Sequence, residues 1–87
     1  MDYPVRTPRQ LASILAAFRK QRGLSQAELA QRLGITQQAL SELEREPQTA
    51  STTRVMQYCA MLGVEMVFRD YEDVAEASSK STPKARW

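Results

Sequence analysis

The stretch QAELAQRLGITQQALSELER, residues 26–45, decides the fold of this 87-residue chain. It contains two short runs with apolar residues at helical spacing, separated by the tripeptide GIT. Ala30 is small where two helices must approach closely, and Gly34 lies where the chain must turn sharply. The angle between the two runs is filled by apolar side chains: Ile35, Leu40 and Leu43. This arrangement predicts a helix-turn-helix unit.

Capping signals along the chain predict four helices in all. Two of the caps are complete capping boxes, in which a Gln or Glu follows the hydroxyl residue by three positions, and Pro8 occupies the first position of its helix. The predicted N-caps are Thr7, Ser25, Thr36 and Ser51. The predicted ends are a glycine or a residue before proline: Gly23, Gly34, Glu46 before Pro47, and Gly63.

The helices each have an apolar stripe, which together predict one small core. The single Cys59 lies on such a stripe and is interpreted as a packing residue, not as a nucleophile. The predicted core residues are Leu11, Ile14, Leu15, Phe18, Leu29, Ala30, Leu33, Ala39, Leu40, Leu43, Val55, Cys59 and Leu62.

Residues 64–70, VEMVFRD, alternate as a β-strand does, with Val64, Met66 and Phe68 on one face. A lone strand leaves its backbone hydrogen-bonding groups unpaired. The same strand of a second copy is the simplest partner, so we predict a homodimer with a two-stranded intersubunit sheet. The alternatives are that the segment continues the fourth helix or packs as coil.

The domain is predicted to span residues 1–71, and residues 72–87 are predicted to form a flexible tail. The tail is rich in serine and poor in apolar residues, so it buries too little surface to offset the entropy of ordering. Trp87 follows this polar stretch and is interpreted as an aromatic anchor for a partner. The alternatives are an incidental exposed side chain and a contact with the protein's own dimer.

The composition favours some classes of function and argues against others. The net charge is +2, and nine of the twelve cations are arginine, which suits phosphates and base edges. The chain has no histidine, and it shows no nucleophile–base arrangement and no phosphate-binding glycine loop. We therefore expect neither an enzyme nor a metal or other cofactor. No stretch is apolar enough to predict secretion or a membrane span, so a cytoplasmic protein is expected.

Residues 8–63 resemble the helix-turn-helix family of the lambdoid phage repressors and their bacterial relatives, the XRE family. The resemblance implies that the second helix of the unit lies in the major groove. It implies base contacts by Thr36, Gln37, Gln38 and Ser41, where glutamine can pair with adenine. It implies phosphate contacts near Gln26 and Ser25, and a structural pair of Arg19 and Glu44. For Arg45, phosphate contact and simple solvation both stay open. Glu42, two positions before Glu44 and on another face than Glu44, is expected to be solvated. For Gln37 and Gln38 the alternative to base contact is that they form a solvated face.

The loop with Pro47, the strand after the fourth helix and the tail with Trp87 also resemble the HipB antitoxins, which pair with HipA-type serine/threonine kinase toxins. The resemblance implies a dimer that binds operators of its own operon, on the bacterial nucleoid, and that holds the kinase inactive, with Trp87 available to dock on it. A dimer with two recognition helices is expected to read a palindromic operator. The chain departs from these relatives at two places. It lacks a lysine at the start of TQQALS, and it has Thr52 where such proteins often have an apolar residue. A dimeric repressor without a toxin partner and an interaction adaptor with a vestigial DNA surface are the alternatives.

Overall fold

The computed structural model describes residues 2–70, which are mostly helical. The elements are α1 (Pro8–Gln21), α2 (Gln26–Leu33), α3 (Gln37–Arg45), a 3₁₀ turn (Pro47–Thr49) and α4 (Thr52–Met61). The prediction of four helices around a helix-turn-helix unit is confirmed. The helices begin and end within one or two residues of the predicted positions.

Local hydrogen bonds explain why the helices begin where they do. The Ser25 hydroxyl accepts from the backbone N–H of Glu28 at 3.0 Å, and the Glu28 carboxylate accepts from the backbone N–H of Ser25 at 2.8 Å. Thr7 and Gln10 form the second capping box, at the start of α1. These contacts span only three residues, so they form whenever the two side chains have the right spacing.

The turn between α2 and α3 depends on a left-handed residue. Gly34 has φ +72°, a conformation that costs little only for glycine. The next residue, Ile35, donates its backbone N–H to the carbonyl oxygen of Ala30 at 3.0 Å. Together these features end α2 and direct α3 away at the angle of the helix-turn-helix unit.

The core lies between the four helices. Its buried apolar residues are Leu15, Leu29, Ala30, Leu40, Leu43, Val55, Tyr58, Cys59 and Leu62. Tyr58 was not predicted, yet it is fully buried, because its ring packs inward while its hydroxyl finds acceptors. The prediction for Ala39 was wrong: it is exposed, since it lies one position before the inward stripe of α3.

Residues 64–70 form no strand within the described chain. The backbone N–H of Val64 donates to the carbonyl oxygen of Cys59 at 2.9 Å, and Val64 packs against the core. Met66 is 39% exposed and Phe68 is 93% exposed in the single chain, so neither packs on the domain's own core. One chain offers this segment no second strand, and an unpaired strand has no sheet hydrogen bonds.

The N-terminal segment lies beside the end of the described chain. Asp2 forms an ion pair with Arg69, and the ring of Tyr3 meets that of Phe18 edge-on at a centroid distance of 5.3 Å. Among residues 2–70, no helix is both long enough and apolar enough to cross a membrane. The predicted tail, with Trp87, lies outside the described residues, and the boundary at residue 71 stays a prediction.

Candidate nucleic-acid interface

One side of the helix-turn-helix unit is a concave polar surface, which we call the α2–α3 groove. Its lining residues are Gln26, Gln37, Gln38, Ser41, Glu42 and Arg45. All of them except Gln26 belong to α3, where residues four apart lie on the same side of a helix. This spacing aligns Gln37 with Ser41 and Arg45, and Gln38 with Glu42. The two rows together make up the exposed face of α3.

The groove contains most of the residues predicted to contact DNA and one that was not predicted. Gln37 and Gln38 are exposed in the first turn of α3, and Ser41 is half-buried one turn later. Glu42 is exposed on a face other than that of the buried Glu44, as expected, and the structure adds that it lines the groove. The signal that would have found it is its spacing of four residues from Gln38.

Ser25 and Thr36 lie at helix starts and are not among the lining residues of the groove. The Thr36 hydroxyl accepts from the backbone N–H of Ala39 at 3.0 Å, which caps α3. Ser25 caps α2 in the same way. A hydroxyl that accepts one hydrogen bond can still donate its own proton, so both caps can donate to a phosphate oxygen. The first backbone N–H groups of α2 also point out of that helix end.

Behind the groove, Arg19 and Glu44 form a buried ion pair between α1 and α3. The Arg19 Nε and Nη2 atoms donate to the two carboxylate oxygens of Glu44 at 2.6 and 3.1 Å. Arg19 Nη1 donates to the carbonyl oxygen of Leu24 at 2.8 Å, in the loop before α2. Arg19 and Glu44 are each 7% exposed. Such a two-pronged contact is the geometry in which arginine binds carboxylates best.

Two more side chains complete the surroundings of the Glu44 carboxylate. The Tyr58 hydroxyl lies 2.5 Å from Glu44 Oε2 and 3.0 Å from the carbonyl oxygen of Leu15. A hydroxyl has only one proton to donate. The Tyr58 hydroxyl donates it mainly to Glu44 Oε2, because that oxygen is charged and the distance is shorter. Gln26 Nε2 donates to Glu44 Oε1 at 3.0 Å. We call Arg19, Gln26, Glu44 and Tyr58 the Glu44 network, which joins all four helices.

The network keeps Glu44 ionised. Burial alone would raise the pKa of Glu44, but the hydrogen bonds from Arg19, Tyr58 and Gln26 outweigh it and lower that pKa below its ordinary value. Burial and the neighbouring Glu44 raise the pKa of Tyr58, so its hydroxyl stays protonated and donates. The hydrogen bond to Glu44 likewise raises the pKa of Arg19. Burial raises the pKa of the Cys59 thiol, which fits a packing role.

Gln26 belongs both to the Glu44 network and to the groove. Its amide nitrogen has two protons, and one of them is donated to Glu44. The second proton and the amide oxygen are left for a ligand in the groove. The buried ion pair therefore holds in place one side chain of the exposed surface, which neither the spacing nor the composition of the sequence indicated.

The groove is suited to hydrogen bonding. It presents amides, a hydroxyl, a carboxylate and a guanidinium, which match the donors and acceptors of base edges and phosphates. Within residues 2–70, no group of three or more His, Cys, Asp or Glu side chains is placed to hold a metal ion.

Known proteins resemble this chain in sequence and in fold. The family model HTH_3, described as helix-turn-helix, matches residues 15–68. Antitoxin HipB of Escherichia coli strain K12 is 30% identical over 74 residues, which cover 85% of this chain and 84% of HipB. The chain belongs to the helix-turn-helix family that includes the HipB antitoxins. Antitoxin HipB of Escherichia coli O6:H1 strain CFT073 is also 30% identical, over 85% of this chain and 79% of its own length.

Solved helix-turn-helix structures match the fold as well. A chain from the structure of a HipA–HipB–O2–O3 complex superposes with a TM-score of 0.73, at 30% identity, covering 82% of this chain and all of the other. A chain from a HipB–O4 20mer complex gives the same TM-score, identity and coverage. The family match over residues 15–68 includes every residue of the groove and of the Glu44 network.

Proposed function

We propose that this helix-turn-helix protein is a DNA-binding antitoxin that represses its own operon and neutralises a HipA-like serine/threonine kinase toxin. The observation that carries the proposal is the exposed groove on a fold that matches HipB chains, one of them from a complex with HipA and another from a complex with a 20mer. The protein would act in the bacterial cytoplasm, on the nucleoid.

In the proposed complex, α3 enters the major groove of operator DNA. Gln37, Gln38 and Ser41 contact base edges, and the amides pair with adenine where the sequence allows. Thr36 caps α3 and contacts the DNA beside it. Gln26, Ser25 and Arg45 contact phosphates at the edges of the groove, which sets the register of α3 on the duplex. The position of Arg45 in the groove favours this role over simple solvation.

The operator is proposed to be a palindrome read by a homodimer. Residues 64–70 leave Met66, Val67 and Phe68 exposed at 39, 71 and 93%. Large apolar side chains in a row with an unpaired backbone favour association with another chain. Antiparallel pairing of Val64, Met66 and Phe68 with the same segment of a second copy would form a two-stranded sheet and cover them.

We expect Phe68→Ser to raise the dimer dissociation constant at least about tenfold, because one buried aromatic side chain on each protomer is lost at the symmetric interface. Sedimentation equilibrium at several concentrations measures this constant. Glu65→Ser is the matched control, since its side chain lies on the other face of the predicted strand. Equal dissociation constants for Phe68→Ser and the wild-type protein would contradict the proposed sheet.

The toxin partner is proposed to be held in part by Trp87. Tryptophan is among the side chains most often found at interface hot spots, and its loss there costs about 2 kcal/mol or more. Deleting Trp87 is therefore expected to weaken binding to the HipA-like kinase roughly 30-fold. Co-purification and calorimetry with the product of a neighbouring kinase gene would measure this change, with deletion of Lys84 as a control in the same segment.

Operator affinity measured on the same proteins separates the alternatives. Kinase binding lost with operator affinity unchanged supports a docking role for Trp87. Loss of both affinities would indicate a structural role and would overturn it. Wild-type protein that binds operator DNA but no HipA-like kinase would leave a dimeric repressor without a toxin partner.

A further inference from the structure

We propose that Glu42 is a specificity-determining residue that reads a cytosine in each half of the operator. The inference rests on the proposed function, because it concerns which base the groove recognises on DNA. The glutamines are proposed to pair with adenine, and Glu42 would add a preference for cytosine at another position.

The position of Glu42 is the first observation. It lies on α3 one turn after Gln38, and both side chains line the groove. Glu42 is exposed, so it contributes nothing to the core. A side chain on the groove face of α3 is carried into the major groove together with Gln37 and Gln38.

The charge of Glu42 is the second observation. Within residues 2–70 its carboxylate has neither an ion pair nor a hydrogen bond, although Arg45 lies three positions along the same helix. A free carboxylate near the phosphates of DNA raises the energy of the complex unless a donor on the DNA meets it. Glu42 therefore selects for sequences that provide such a donor at its position.

Only two bases present a donor in the major groove. Cytosine presents the N4 amino group, and adenine presents the N6 amino group beside the N7 acceptor. A carboxylate can only accept, so the N7 lone pair of adenine repels its second oxygen, whereas cytosine has no acceptor beside N4 on that edge. Glutamine, with a donor and an acceptor, has the opposite preference. The groove thus matches adenine at the amides and cytosine at Glu42.

The experiment is a selection of bound sequences from a pool of random double-stranded DNA, followed by sequencing. We expect the wild-type protein to prefer cytosine at one position of each half-site by about 5- to 150-fold. Glu42→Ala should lose that preference, and Glu42→Gln should shift it towards adenine. Glu46→Gln is the matched control, because Glu46 is exposed at the end of α3 but does not line the groove.

Several outcomes decide the proposal. A cytosine preference lost at one position in both Glu42 variants, and kept in Glu46→Gln, supports it. Sequence preferences that stay the same in the Glu42 variants, with affinity raised equally for all sequences, would overturn it, because the carboxylate would then only repel phosphates. The proposed function would survive that result. A wild-type protein that selects no sequence at all would overturn the proposed function and this assignment together.

Discussion

Arg19→Met is expected to lower the free energy of unfolding by roughly 3–5 kcal/mol. The substitution removes both bonds from the Arg19 guanidinium to Glu44 and leaves a carboxylate that is 7% exposed without its cation. Tyr58 and Gln26 would still donate to it, but neither carries charge. Chemical unfolding followed by circular dichroism, at one fixed protein concentration, measures the change.

Arg9→Met is the matched control, because Arg9 is exposed on the same helix. The double variant Arg19→Met/Glu44→Met should be less destabilised than the sum of the two single variants, since it removes the uncompensated charge. If Arg19→Met unfolds at the same denaturant concentration as Arg9→Met, the buried ion pair does not stabilise the fold as expected.

Acid provides a second readout of the same pair. The pKa of Glu44 is lower in the folded protein than its ordinary value of 4.5, so the folded state binds fewer protons than the unfolded state. The stability that Glu44 contributes is therefore complete above the ordinary pKa and is lost as the pH falls towards the lower folded pKa. Glu28 shifts in the same direction, chiefly because its carboxylate accepts from the backbone N–H of Ser25. Glu44→Gln should reduce the loss of the free energy of unfolding at acidic pH, and Glu28→Gln should show how much of that loss comes from Glu28.

The double variant Gln37→Ala/Gln38→Ala is expected to lose roughly 2–6 kcal/mol of discrimination between the operator and unrelated DNA, at about 1–3 kcal/mol for each amide. Both side chains are exposed at the start of α3, so their removal leaves the core intact. Affinity for unrelated DNA should change little, because it depends on phosphate contacts. Binding titrations with operator and scrambled duplexes at matched salt measure both quantities.

Salt dependence distinguishes base contacts from phosphate contacts in this comparison. The slope of log affinity against log salt should be unchanged in Gln37→Ala/Gln38→Ala, whereas Arg45→Ala should reduce it by about one. Gln57→Ala is the control, since Gln57 is exposed on α4, away from the groove. Unchanged operator discrimination in the double variant would refute the assignment of α3 as the recognition helix.

The sequence by itself determined the helices and the turn between α2 and α3. The caps at Thr7, Ser25, Thr36 and Ser51 each involve a backbone N–H three residues away, and Gly34 meets a requirement of its own backbone. Such signals depend on neighbours along the chain, so they can be read in order from one end to the other. The apolar spacing around them was enough to predict where most of the core would lie.

The tertiary structure alone decided how the helices share their polar side chains. The sequence does not indicate a polar role for Tyr58, and only the arrangement of α4 relative to α1 and α3 places its hydroxyl on Glu44. The bond from Gln26 to Glu44 crosses 18 positions of the chain. Contacts of this kind depend on the angle and distance between helices, which no local pattern records. The same packing exposes Ala39, whose spacing had predicted burial.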